Sequence, residues 1–462
     1  MRLWKRLVRL RRTSLGPPHL PEGIEPISLT DDAGGLGNSP SRIDMRLNDR
    51  QKEMLEGIRG QGPQKAMEIL VAYGQCYDAE RMIPITSVHV AGNFPVLQDE
   101  GIEWLEELAQ GGTRVTVYTT KNPEMFDPEQ AEELRIPDIY RLRQKRIHEA
   151  LISLGVIPTY TCHHYLVGNV PRFGDHIAWA SSGSQVFANS VIGARSNRDG
   201  DHVALAAAVV GAIPEWGLHL PENRRGELLI DAGSLPLDDY GPADYKALGW
   251  YLGKKVGTRI PVFANLPPDM HIEGVKGLLY TLTVTGATGL VHLAGITPEA
   301  STLEAAFGRK PPLSAEIIPS QKEVDKAYRE ISSSTEEKVD LVIFGCPQCS
   351  IQEVQEIAAL LEGKKVHPET QFWICTSRWV KTLCERMGLL ESLKSCGVRV
   401  VADVGAADGP HLYLKEQGVR VIAMNSARGS YYAHNLFGME TWFGSTRECV
   451  QSAISGRWEG RK

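Results

Sequence analysis

Residues Thr159 to Arg198 read TYTCHHYLVGNVPRFGDHIAWASSGSQVFANSVIGARSNR. The stretch gathers Cys162, His163-His164, Asp175-His176, Ser181-Ser182, three asparagines and three arginines. Its apolar periodicity is poor and glycines interrupt the polar groups, the pattern of backbone bent around a site. An imidazole beside a carboxylate, as at Asp175-His176, can move protons near neutral pH; a buried histidine with one backbone bond reads equally well. His163-His164 suits metal ligands or plain loop polarity. Arg195, Arg198 and Arg428 stand in Gly- and Ser-rich loops, where a guanidinium grips a carboxylate or phosphate with two bonds, or makes a salt bridge at a domain junction. Ser181-Ser182 and Gly92-Asn93 offer donors to an anion, and are also ordinary turn residues.

A second centre is Cys346-Pro347-Gln348-Cys349. The run Val339 to Gly345 reads as a strand that breaks at Cys346, with a helix from Ile351. A helix N-terminus favours thiolate, so the pair could hold iron or an iron–sulfur cluster with Cys162 from another lobe; small apolar filling is the alternative. Three cysteines would leave an iron open to act as a Lewis acid on a substrate hydroxyl. Eight cysteines in 462 residues form no dense disulfide framework, so a reducing cytoplasm is expected. Cys375 and Cys384 sit in apolar runs and read as core.

The elements that must position these groups alternate. Helical stretches over 47–80 precede the strand Ser87–Ala91, the helix Gly101–Gln110, the strand Thr113–Thr119, a helical run Pro128–Leu154 broken at Pro137, and the strand Gly155–Thr161. A buried helix covers Val203–Gly211. A strand follows at Glu227–Asp231, and a second lobe then carries helices at Ala243–Val256 and His271–Thr285. The last third alternates again: strands at Gln371–Thr376, Val398–Ala402 and Val419–Met424, with helices at Ile351–Glu362 and Arg378–Lys394. Strand–helix alternation predicts an α/β protein with parallel sheets covered by helices, its polar groups at strand C-termini. The expected domains are 45–234, 235–335 and 336–462, after a basic, Pro- and Gly-rich extension over 1–44.

Composition excludes several classes. Charged residues are 23% and hydrophobic ones 42%, as in ordinary globular chains. A net charge of -6 argues against a nucleic-acid partner, which calls for a basic face. The longest clean apolar run, Val203 to Ile213, is far short of the roughly 20 residues that span a membrane. The opening MRLWKRLVRLRR holds six basic residues and no acid, and suits an organelle-targeting or membrane-surface helix or a mobile tail.

MEILVAYG (67–74), Ile83-Pro84-Ile85, Val90-Ala91-Gly92, Thr120-Lys121-Asn122-Pro123, FGDHIAW (173–179), FANSVIGARSNRDG (187–200), WGLHLPENR (216–224) and FGCP (344–347) together resemble aconitase X, a short branch of the aconitase superfamily. The resemblance runs in order from about residue 45 to the C-terminus. It implies an aconitase-like multidomain large subunit lacking the swivel domain, a separate small swivel-domain subunit as partner, and a hydro-lyase acting on a small anionic hydroxy acid such as 5-phosphomevalonate or cis-3-hydroxy-L-proline. It places Cys162 and Cys346 at two of three cluster-ligand positions; the third falls on Gly405, so Cys349 is the substitute ligand expected here, for a cluster or a mononuclear iron. Gly92, Asn122, Pro123 and Ser182 match substrate-pocket positions. Asn93 and Phe94 stand where the phosphomevalonate branch has Val-Ser, Ser181 for a Glu, and Arg428 for a Lys. The expected catalytic set is Asp175, His176 and Arg428. The alternatives are a cluster-free dehydratase or isomerase, and a non-catalytic subunit that keeps the fold.

Overall fold

The structure is a computed structural model, and it describes residues 45–461. The readings of the basic N-terminal extension fall outside the described residues.

The first sheet is built from β-branched and polar residues at three short parallel strands. After β1 (Met82–Pro84) come β2 (Ser87–Val90), β3 (Tyr118–Lys121) and β4 (Ile177–Trp179). β2 lies between β3 and β4, parallel to both, and β1 pairs antiparallel with β5 (Ala212–Pro214). Parallel pairing brings the carboxyl ends of β2, β3 and β4 to one edge. Helices Gln61–Cys76, Phe94–Ala109, Asp138–Leu154 and Asp201–Val210 cover the sheet. The last of these is almost wholly buried through an Ala-Val-Leu run, as its sequence predicts.

Two expected strands differ. Thr113–Val117 does not pair as a strand, because the N–H groups of Val115 and Thr116 are drawn to the carbonyls of Leu154 and Ala208 at helix ends. The strand begins only at Tyr118. Gly155–Thr161 is not a strand either: it forms one bridge, from Ile157 to Thr120, and Thr159 and Thr161 reach the end of β3 by bonds to Lys121.

A second parallel sheet holds β6 (Leu228–Asp231), β7 (Pro261–Ala264) and β8 (His292–Leu293). Helices Pro242–Val256 and Ile272–Gly286 pack against each other so closely that a Cβ on Gly249 would lie 2.6 Å from the Leu278 carbonyl.

The third sheet contains β9 (Leu341–Cys349), β10 (Gln371–Thr376), β11 (Val398–Ala402), β12 (Val421–Met424) and β13 (Glu440–Phe443), all parallel, in the order β11-β10-β9-β12-β13. The strand order reverses between β9 and β12. Open α/β sheets bind ligands in the crevice beyond the strand ends at such a reversal. The expected helix Arg378–Lys394 is two, Arg378–Arg386 and Leu389–Ser395, parted by Gly388 in the left-handed region at φ 72°. Among the described residues no helix is long and apolar enough to cross a membrane.

Candidate active site

Gly92-Asn93, Asn122-Pro123 and Ser181-Ser182 each follow the carboxyl end of a strand of the first sheet, and so arrive at one edge. Gly92 has φ 55°, a left-handed turn open to glycine, and a Cβ there would press on Leu151 and Lys121 at 3.2 and 3.3 Å. The turn is anchored by Asp201, whose two carboxylate oxygens accept the N–H groups of Ala91 and Gly92, each at 2.6 Å. Burial raises the Asp201 pKa, and these two N–H groups act against the rise.

Asn122 is oriented from behind. His89 is fully buried, with Nδ1 2.9 Å from Thr120 Oγ1 and Nε2 2.9 Å from Asn122 Oδ1. With the amide oxygen as acceptor, the ring proton sits on Nε2 and the Asn122 amide nitrogen is left for the cavity. Desolvation lowers the His89 pKa to about 3, so the ring is neutral. His164 stacks on it with ring centroids 3.4 Å apart. His163 and His164 are both buried rather than in a solvated loop, and burial holds both well below the usual histidine range.

The opposite wall comes from the strand reversal of the third sheet. Arg428 begins the helix Ala427–Phe437 after β12, and the cap residue Ser426 donates its hydroxyl to the Cys346 carbonyl. Its guanidinium lies over the rings of Tyr280 and Tyr432, 6.0 and 5.4 Å from their centroids. No carboxylate among the described residues pairs with it, and its buried Nε has no partner. Desolvation pulls the Arg428 pKa down, but Tyr432, Cys346, Asp408 and Cys162 more than offset that, so the net shift is upward. Arg198 stands near the same tyrosine, its pKa lowered by burial and by Arg428.

Between these walls lies a cavity of about 270 Å³, lined by Asn93, Asn122, Ser181, Ser182, Asp408 and Arg428 among others. That is small for a ligand pocket, where roughly 300–1,000 Å³ is usual, and suits a small molecule. Asn93 Oδ1 and Ser181 Oγ are buried there without a partner. Unmet donors and acceptors around an unpaired guanidinium make a site for a small hydroxylated anion.

Of the pocket residues expected from sequence, Asn93, Asn122, Ser181, Ser182 and Arg428 meet. Gly92 shapes the turn, and Pro123 follows Asn122 without lining the cavity. Phe94 points the other way, into the core beneath the Arg143 guanidinium, whose centre lies 4.2 Å from its ring centroid. Asp175 and His176 precede β4, whereas Ser181 follows it, so they sit at the opposite end of the strand from the cavity. Asp175 accepts the Arg172 N–H at 2.8 Å, and His176 Nδ1 lies 3.0 Å from His219 Nδ1. The Asp-His pair therefore serves a turn and a histidine contact, and no catalytic role is assigned to it.

The cysteines divide. Cys162 and Cys346 are buried within each other's electrostatic reach, next to Asp408 and Arg428. Burial pushes the Cys162 thiol up to about 12 and raises Cys346 as well. Cys349 is turned away. As expected, regular pairing stops at Cys346: the chain bulges from Gly345 (φ 117°) through Gln348, and the next residue paired with β10 after Phe344 is Cys349, opposite Thr376. Cys346 thus joins the core that contains Cys375, and Cys349 joins the core with Val354 and Ile374.

The position where the resemblance expects the third cysteine is taken as well. A Cβ on Gly405 would lie 1.8 Å from Oδ2 of Asp408, so a carboxylate occupies the place of a side chain there. No group of three or more His, Cys, Asp and Glu among the described residues is arranged to hold a metal ion. The donor set does not fit a three-thiolate cluster.

His89, Asp201, Asp408, Tyr280 and Tyr432 were not legible as site residues. Asp201 opens a helix, where an acid is expected for the helix dipole alone, and Asp408 lies in a Gly-rich turn.

Residues 44–222, 226–329 and 339–455 match the first, second and third domains of aconitase X. The chain is 34% identical over 411 residues to the phosphomevalonate dehydratase large subunit of Methanocaldococcus jannaschii, covering 88% of this chain and 100% of that one. It is 32% identical over 464 residues to the cis-3-hydroxy-L-proline dehydratase of Pseudomonas aeruginosa, covering 98% of this chain and 76% of that one. The crystal structure of Thermococcus kodakaraensis aconitase X in its holo-form superposes with a TM-score of 0.79 at 34% identity, over 88% of this chain and 100% of that chain. With all three of its domains matched in order, the chain belongs to the aconitase X family.

Proposed function

We propose that this chain is the large subunit of a hydro-lyase that removes water from a small hydroxylated carboxylic acid, working with a separate small subunit. The observation that carries the reading is Arg428, unpaired with any described carboxylate and facing the unpartnered Ser181 hydroxyl and Asn93 oxygen across one cavity. The relatives are named dehydratases, and the phosphomevalonate ones are named large subunits, matched over their whole length by this chain in the Methanocaldococcus case.

In this reading Arg428 binds the substrate carboxylate. Its aromatic seat on Tyr280 and Tyr432 fixes the guanidinium plane without neutralising it. Asn122 donates from its amide nitrogen, and Ser181 and Asn93 meet the substrate hydroxyls, so the leaving group is held in one orientation before it departs. The small subunit closes the cavity and excludes water, and the base that takes the carbon-bound proton belongs to it. The pocket departs from the phosphomevalonate branch at Asn93, Ser181 and Arg428, which favours a different small hydroxy acid. The test is to produce the chain with its small subunit and to follow formation of the unsaturated acid from a panel of hydroxy acids. A kcat/KM at least about tenfold lower in Arg428→Met supports the reading; an inert complex, or turnover untouched by that substitution, defeats it.

A further inference from the structure

Asp408 lines the cavity from the turn that precedes the helix Pro410–Glu416. Its N–H donates to the Gly405 carbonyl at 2.9 Å, a tight turn that folds the carboxyl back over residue 405. There Oδ2 fills the space of an absent side chain, lying 1.8 Å from where a Gly405 Cβ would be. Asp408 Oδ1 accepts from Asn93 Nδ2 at 3.4 Å, and no cation among the described residues pairs with it. The same carboxyl lines the cavity with Asn93, Ser181 and Arg428. The charged and titratable groups around it are Arg428 from the third sheet, Lys121 from β3, and the thiols of Cys162, Cys346 and Cys375. Where the resemblance expects a third cysteine, at 405, the chain has glycine and a carboxyl folded in from 408.

We infer that Asp408 takes the place where the resemblance expects a third cysteine and is the catalytic residue that protonates the departing hydroxyl, in a pocket that holds no three-thiolate cluster. The inference rests on the dehydratase reading. The O–H bond of the Asp408 carboxyl breaks as the substrate C–O bond breaks, and proton and hydroxyl leave as water. The electron pair of the adjacent C–H bond becomes the new C=C bond, its proton passing to the small subunit's base. Asp408 is left as carboxylate facing Arg428, and takes a proton from water as the base releases one. No redox partner is needed.

Two measurements decide it. The complex, purified anaerobically, is incubated with ferrous iron and sulfide and analysed for both. Wild type is expected to retain neither at cluster stoichiometry, while Gly405→Cys combined with Asp408→Ala gains a broad visible thiolate–iron absorption. Cluster-stoichiometric iron and sulfide in wild type overturns the assignment, as does a double variant that, though folded, gains no absorption. On hydroxy-acid turnover, Asp408→Asn is expected to lower kcat by about 100-fold or more with KM nearly unchanged, the size of a lost general acid. Asp408→Glu, which keeps the carboxyl and controls for folding, restores part of kcat. Asp408→Asn with wild-type kcat overturns the catalytic role. A wild-type complex inert on all hydroxy acids removes the dehydratase reading and that role together, and the reconstitution arm then still decides whether carboxylate has displaced thiol.

Discussion

The backbone N–H of Gln348 donates to the sulfur of Cys162 at 3.4 Å, joining residues 186 apart in sequence. The Gln348 amide nitrogen also lies 3.1 Å from the Tyr160 carbonyl, 3.2 Å from that of Thr376 and 3.1 Å from that of Val404. One side chain thereby ties the end of β9 to the loop carrying Cys162 and to the ends of β10 and β11. Gln348→Ala leaves buried carbonyls without a donor, which costs about 1–3 kcal/mol. Chemical unfolding of the two proteins measures the loss, and an unchanged midpoint would mean the knot carries no stability.

Arg428 pairs with no carboxylate among the described residues, and its buried Nε has no partner. Arg428→Met keeps the bulk over Tyr280 and Tyr432 but removes the charge. A hydrogen bond to a charged group contributes about 1.5–3 kcal/mol, so kcat/KM should fall roughly 10- to 150-fold. Arg428→Lys should recover a fraction only, since the ammonium lacks the planar fork. Steady-state kinetics on the substrate found by screening gives the ratio.

Gly183 supports that arginine by leaving space. A Cβ there would lie 2.3 Å from Cδ1 and Cε1 of Tyr280 and 2.7 Å from an Arg428 guanidinium nitrogen. Gly183→Ala should push Tyr280 and Arg428 together out of place, costing about 1–3 kcal/mol of stability as overpacking does. It should also lower kcat/KM, and Tyr280→Phe in the same background should not restore it, because the ring and not the hydroxyl is displaced.

Asp201 holds the Gly92 turn with both oxygens. Asp201→Asn keeps the shape but has one acceptor, so one N–H is stranded. A stability loss of about 1–3 kcal/mol is expected, the range for a buried donor left unsatisfied. The neighbouring Asn93 shifts with the turn, so substrate affinity should fall as well. Thermal unfolding together with KM separates the two effects.

Buried neutral histidines set the acid limb of stability. His89 is depressed to about 3, and His163 and His164 lie well below the ordinary value of 6.5, with desolvation the first cause in each. Below about pH 6.5 the unfolded chain takes up protons that the folded one refuses. Stability is therefore fully present above that pH and is lost as pH falls toward the folded values. Each such ring adds a slope of about 1.4 kcal/mol per pH unit. His164→Phe preserves the stack on His89 and should flatten the unfolding free energy between pH 6 and 5 (about one proton's worth). An identical slope in both proteins would show that His164 is protonated in the folded state.

The chain's pattern alone determined the α/β class, the parallel strand–helix alternation and most of the elements. Gln371–Thr376 and Val398–Ala402 are strands with the ends their residues predict, because alternation between β-branched runs and amphipathic helices is a local property. The family was also legible, and through the resemblance so was the grouping of Asn93, Asn122, Ser181 and Arg428, which come from the strand ends of two different sheets. Tertiary structure alone decided the rest. Whether Cys346 and Cys349 share a site depended on the bulge between Phe344 and Cys349, which sends the two side chains into different cores. Phe94 and His176 carried site-like chemistry but face away, because direction is set by what packs against them. Asp408 took the place of a side chain at 405 only through a turn closed in three dimensions, and nothing in the spelling of a Gly-rich loop says which way its carboxylate folds.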